Sequence, residues 1–149
     1  MDAFENSLNR VLVDTFNDIL KYEETSLKKI SSIPVTITEA HMIEAVGLQE
    51  NEATVSKIAS LLDIARPTAT VAVKKLESKG FIKKVPCEED GRCTIISLTD
   101  TGRRIEKAHR IFHEKMVRNI SRKFMEDEKE ALLKAIKILN DFFKRKVEA

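Results

Sequence analysis

Apolar side chains recur at helical spacing from the start of the chain. Phe4, Leu8, Val11, Leu12, Phe16, Ile19 and Leu20 fall three or four residues apart and predict an amphipathic helix over residues 4–20, with Glu23-Glu24 at its end. The pattern breaks at Ser31-Ser32-Ile33-Pro34. Thr38 is then placed to cap a short helix, E-A-H-M-I-E-A-V, that Gly47 stops. Thr54 caps a third helix carrying Val55, Ile58, Leu61 and Leu62, and a fourth follows with Pro67 in its first turn and Gly80 at its end. After Gly80 the period falls to two. Residues 81–85 and 94–98 predict two strands joined by C-E-E-D-G-R, with Asp90-Gly91 as the turn. Thr99 caps a long helix with Ile105, Phe112, Met116 and Ile120, and a last helix carries Leu132, Ile136, Leu139 and Phe143.

Four helices, a hairpin and two helices, in that order, predict a mainly α protein built on a winged helix-turn-helix with a two-stranded β-wing. The expected organisation is an N-terminal dimerisation helix (1–30), the winged domain (31–99) and C-terminal helices completing the dimerisation region (100–149). The terminal helices carry more apolar surface than so small a module can cover, which predicts a homodimer.

The fourth helix has two unlike faces. Ala69, Ala72, Val73 and Leu76 make a slim core stripe. Pro67, Thr70, Val71, Lys74 and Lys75 lie opposite, short and uncharged first, cationic later, with an apolar Val71 where water is expected. Composition sharpens this contrast. The 149 residues carry a net charge of only +2, yet residues 65–84 hold six cations against one acid, Glu77. That is a local basic patch in a balanced chain; a charge run is usually just a solvated face, and this one takes its meaning from the residues around it. A hydrophobic content of 42% and a charged content of 34% suit a helix-rich globular protein. No apolar run is long enough to span a bilayer and the polar start lacks a signal-peptide pattern, so a cytoplasmic location is expected.

The run T-V-S-K-I-A-S-L-L-D-I-A-R-P-T-A-T-V-A-V-K-K-L-E-S-K-G-F-I-K-K, followed by E-D-G-R-C-T-I-I-S-L-T-D-T-G, resembles the MarR family of bacterial transcription regulators. The shared pieces are R-P-T-x-T opening the recognition helix, L-E-x-K-G closing it, and a D-x-R wing followed by L-T-x-x-G. The chain departs from the family where Ala65 replaces a capping Ser and Asp63 a turn Gly. Val71 and Lys74 stand where Arg and Asp are frequent. The resemblance implies a homodimeric regulator on double-stranded DNA. A recognition helix needs short groups near its N-terminus to approach the base edges. Thr68 and Thr70 then reach phosphates or bases, Arg66 pairs with a guanine or a phosphate, and Val71 meets a thymine methyl. Lys74 and Lys75 sit over the backbone and supply salt-dependent affinity. Asp90 orients Arg92 for entry into the minor groove. A rival from another class is a winged-helix module for protein–protein contact.

His41, His109 and His113 are the three histidines, and the last two are four apart on one helical face. With Glu23 or Glu24 they offer three imidazoles and a carboxylate, an acceptable tetrahedral zinc set. The same positions resemble two branches of the family. One comprises zinc-responsive repressors. The other comprises repressors of fatty-acid synthesis that take acylated carrier protein as corepressor and share E-x-H-x-I at 39–43 and H-x-x-F-H-x-x-M-V at 109–117. The second match is longer and extends to apolar positions. Ala40 and Ala108 stand where the zinc branch has further acids. The histidines also fit unligated polar residues lining a helix junction. Cys87 and Cys93 flank the wing turn and are expected as free thiols, with redox cross-linking of the wing as the alternative. No Gly-rich phosphate loop, nucleophile elbow or triad points to an enzyme.

Overall fold

A computed structural model describes residues 1–87 and 93–148. The elements run α1 (Ala3–Leu27), α2 (Ile37–Leu48), α3 (Val55–Leu62), α4 (Arg66–Ser78), β1 (Ile82–Pro86), β2 (Thr94–Leu98), α5 (Asp100–Ser121) and α6 (Glu126–Glu148). Their order is the predicted one, and the fold is a winged helix-turn-helix flanked by helices. Among the described residues no helix is long and apolar enough to cross a membrane.

Several boundaries differ from expectation for local physical reasons. α1 starts in a reciprocal cap, where Asp2 accepts from the Glu5 N–H and Glu5 from the Asp2 N–H, each at 2.8 Å. It then runs seven residues past Leu20, because its buried face continues through Glu23 and Leu27. A carboxylate on that face hides the apolar period. α2 is capped by Thr36, not Thr38. Thr36 Oγ1 accepts from the Glu39 N–H (3.1 Å) while Glu39 Oε2 accepts from the Thr36 N–H (3.0 Å). Gly47 lies inside α2 and does not stop it. A Cβ there would come within 3.2 Å of Glu106 Cγ, so the residue serves close packing of α2 on α5.

The rest of the winged domain follows its sequence signals. Thr54 caps α3, and Asp63 ends it in left-handed backbone (φ 53°, ψ 48°). Pro67 sits in the first turn of α4, and Gly80 follows that helix with φ +79°. Thr99 Oγ1 accepts from the Gly102 N–H at 3.1 Å and so caps α5. β1 pairs antiparallel with β2, Ile82 opposite Leu98 and Pro86 opposite Thr94. β1 begins one residue later than predicted, because the Phe81 carbonyl accepts from Thr99 N and the Phe81 ring is fully buried. Ile96 N also donates to Ala53 O (2.8 Å), a bridge that ties the segment between α2 and α3 to the wing. The predicted Asp90-Gly91 turn lies outside the described residues.

The chain divides into two compact units, Met1–Arg110 and Ile111–Ala149. The first holds the core, in which Leu27, Ile43, Ile58, Leu76, Phe81, Ile96 and Ile105 are all but sealed from solvent. The second comprises the end of α5 and all of α6. α6 buries no residue, and its Leu133, Ile138, Phe142 and Phe143 are exposed. α1 likewise exposes Phe4, Val11, Phe16 and Ile19.

Candidate nucleic-acid interface and histidine junction

α4 divides as its sequence predicts. Ala69, Val73 and Leu76 are buried, whereas Arg66, Pro67, Thr68, Val71, Lys74 and Lys75 face outward. Val71 is 69% exposed, so most of its apolar side chain is open to a partner. Thr70 is half-buried and its hydroxyl donates to the Arg66 carbonyl (3.0 Å), leaving only its acceptor capacity for a partner. Ala65 gives α4 no side-chain cap, so the first-turn N–H groups keep their affinity for an anion. Asp90 and Arg92 lie outside the described residues, and the described part of the wing contributes Lys83 and Lys84 on β1.

The two central lysines of α4 differ. Lys74 has no ion-pair partner among the described residues, whereas Lys75 Nζ lies 3.6 Å from Glu39 Oε1. Glu39 is buried and also receives Lys79 Nζ on both oxygens, at 2.8 and 2.9 Å. Lys79 in turn donates to the Pro34 carbonyl (3.0 Å). Burial pushes the Glu39 carboxyl up. The Lys79 hydrogen bond, the Thr36 N–H and the charges of Lys79 and Lys75 more than offset that and hold it below its ordinary value. Glu39 and Lys79 were not singled out from the sequence. The T-x-x-E spacing at 36–39 signals the cap but not the lysines that meet it.

The second cluster joins α1, α2 and α5. Glu23 Oε1 accepts from His109 Nε2 at 2.6 Å and from His41 Nε2 at 3.1 Å. The His41 and His109 rings stand 5.7 Å apart. Glu23 and His109 are buried, while the His41 side chain is half-exposed. The Glu44 carboxylate lies 3.9 Å from His109 Nδ1. One ligand atom from each of Glu23, His41 and His109 falls within 4.8 Å of the others, close enough to converge on one ion. His113 follows His109 by one turn on the same face of α5. Of the two carboxylates proposed from sequence, only Glu23 takes part. Glu24 is exposed and pairs with Lys28 at 3.3 Å. Beyond the Pro86–Thr94 end of the wing ladder, Cys87 and Cys93 are joined in a disulfide, where free thiols were expected. Strand register brings their Cα atoms to 5.2 Å, within disulfide range, which spacing alone could not decide.

The MarR family profile matches residues 35–94, which run from just before α2 into β2. The structure is similar to that of FabT from Streptococcus pneumoniae in complex with DNA. The identity is 30%, covering 95% of this chain and 98% of that one, with a TM-score of 0.85. The chain belongs to the MarR family. It is a DNA-binding transcriptional regulator of winged-helix type. The transcriptional regulator ZitR of Lactococcus lactis is 26% identical over 117 residues, 76% of this chain and 79% of ZitR. A crystal structure describes ZitR as a zinc-responsive MarR family member. It superposes with a TM-score of 0.65 at 24% identity, covering 91% of this chain and 99% of ZitR.

Proposed function

We propose that this MarR-family protein is a homodimeric repressor that sets α4 of each protomer into successive major grooves of a pseudo-palindromic operator. The observation carrying this is the outward face of α4: short side chains and an uncapped N-terminus first, an exposed Val71 next, and Lys74 beyond, a cation with no ion-pair partner among the described residues. Arg66 and Thr68 address bases or phosphates, Val71 a thymine methyl, and Lys74 the backbone. Arg92, outside the described residues, is the wing cation assigned to the minor groove. The apolar faces of the N-terminal segment (1–30), which holds α1, and of the C-terminal helices (100–149) provide the dimer contact, and residues 31–99 the DNA-binding lobe. Successive groove faces lie about 34 Å apart, so a ligand that favours one lobe spacing over another changes operator affinity.

The ligand is read at the Glu23 junction. An acylated carrier protein acting as corepressor follows from the run at 109–117, which resembles the fatty-acid-synthesis repressors. Zinc is the second effector, favoured by the donors: a carboxylate and two imidazoles within 4.8 Å, with His113 one turn on as the fourth. Such a set fits zinc, which would cross-link α1, α2 and α5.

Selection from random duplexes followed by gel shift tests the DNA assignment. Arg66→Ala is expected to lose preference for the selected sequence. Equal, weak affinity for all duplexes, untouched by Arg66→Ala, would instead mark a protein–protein module. Calorimetric zinc titration of the chelator-stripped protein, beside His109→Ala/His113→Ala, separates the effectors. Submicromolar binding lost in the double variant assigns zinc. No binding leaves acylated carrier protein, tested by its effect on the gel shift.

A further inference from the structure

No direct hydrogen bond or ion pair among the described residues joins the Glu23 junction to α4. Both, however, grip the same turn of α2. His41 ties α2 to Glu23 of α1 (3.1 Å), and through Glu23 to His109 of α5 (2.6 Å). Two residues earlier on the same rigid turn, Glu39 holds Lys79, the C-terminal cap residue of α4, at 2.8 and 2.9 Å, and Lys75 of α4 at 3.6 Å. Glu39 is 7% exposed and its Oε2 is also committed to the α2 cap. A buried carboxylate with two hydrogen bonds from one ammonium makes a stiff joint, because breaking it strands a charge out of water.

We infer that Glu39 is a positioning residue for DNA binding: by clamping Lys79 and Lys75 it transmits the state of the Glu23–His41–His109 junction to the recognition helix. The inference deepens the regulator assignment and rests on it. A shift of His41 at the junction carries Glu39 with it, and Glu39 moves the C-terminal end of α4 relative to the groove. Two sites are coupled when both bias one element, and the N-terminal part of α2, from Glu39 to His41, is that element.

A double-mutant cycle tests this with no effector needed. Operator affinity of the 149-residue protein is measured by fluorescence anisotropy for wild type, Glu23→Gln, Glu39→Gln and the pair. Glu23→Gln is expected to change affinity at least about fivefold, the low end of ordinary coupling. In the Glu39→Gln background the same substitution is expected to change it less than twofold. Lys79→Met should abolish the response in the same way while keeping the α2 cap, and Lys79→Arg, which preserves the pair, should restore it. A merely structural Glu39 would lower affinity yet leave the Glu23→Gln effect equal in both backgrounds, overturning the inference. So would a Glu23→Gln variant that binds like wild type. Failure of wild type to prefer any selected duplex would instead overturn the regulator assignment itself.

Discussion

Lys74 and Lys75 are neighbours of identical chemistry, and their surroundings predict different roles on DNA. Each phosphate neutralised by a cation contributes about 0.9 to the slope of log affinity against log salt. With one copy per protomer, Lys74→Ala should lower the slope by about 1.8 in a dimer. Between 50 and 150 mM salt that slope amounts to about a sevenfold change in affinity, present in wild type and missing in the variant. Lys75 Nζ is already drawn to within 3.6 Å of Glu39, so full engagement of a phosphate means giving up that attraction. Lys75→Ala is therefore expected to change the slope by about half as much or less. Anisotropy of a labelled operator, titrated at five or so salt concentrations, measures both slopes. Equal losses for the two variants would refute the reasoning, since the Glu39 pairing would then have no bearing on which lysine meets DNA.

Three further outcomes follow from the fold. A Cβ at Gly102 would fall far inside contact distance of the Phe81 carbonyl oxygen, so Gly102→Ala forces α5 away from the base of the wing. A loss of about 1–3 kcal/mol is expected by chemical denaturation, even after the helix-propensity gain of alanine. An unchanged midpoint would mean that α5 shifts at no cost. Because the Glu39 carboxyl is held below its ordinary value of 4.5, its contribution to stability is complete above that pH and lost as pH falls through the lowered folded value. Lys79→Met, which removes the main lowering partner, should move the acid-unfolding midpoint to higher pH. Thermal melts across the acid range check this, and coincident profiles would contradict it. The Cys87–Cys93 bond closes a loop of seven residues, worth about 2 kcal/mol of restricted unfolded chain, so reductant should lower the melting temperature by several degrees. A Cys87→Ser/Cys93→Ser variant should melt like the reduced protein and ignore reductant.

The sequence made the recognition helix legible because exposure and burial there follow a single 3.6-residue period, and because Val71 breaks that period visibly. Element order was legible for the same reason, with Thr54, Thr99 and Gly80 marking ends by side-chain or backbone chemistry that acts within a few residues. The errors occurred where a polar residue served the interior or a small one served packing. Glu23 interrupted the apolar stripe of α1 and made the helix look shorter than it is. Gly47 reads as a stop in one dimension and is a contact with Glu106 in three. Thr36 and Thr38 are equally good caps by composition, and only Glu39 reaching back to the Thr36 N–H decides between them. The choice of Glu23 over Glu24 had no local signal, since it depends on which side of α1 meets α2 and α5.

That choice also bears on what the junction can do. A carboxylate 4% exposed is costly to keep ionised unless donors face it. Here two imidazoles converge on one oxygen of Glu23, from a helix of the DNA-binding lobe and from α5. Any effector acting at this point must either replace those hydrogen bonds or leave them whole. Zinc would replace them, taking the same nitrogen and oxygen atoms as ligands and drawing three helices onto one centre. An acyl corepressor would leave them whole and would have to act on the apolar surface around them. The two effectors thus make opposite demands on Glu23: its charge is indispensable to the first and serves the second only through the hydrogen bonds that a glutamine partly keeps.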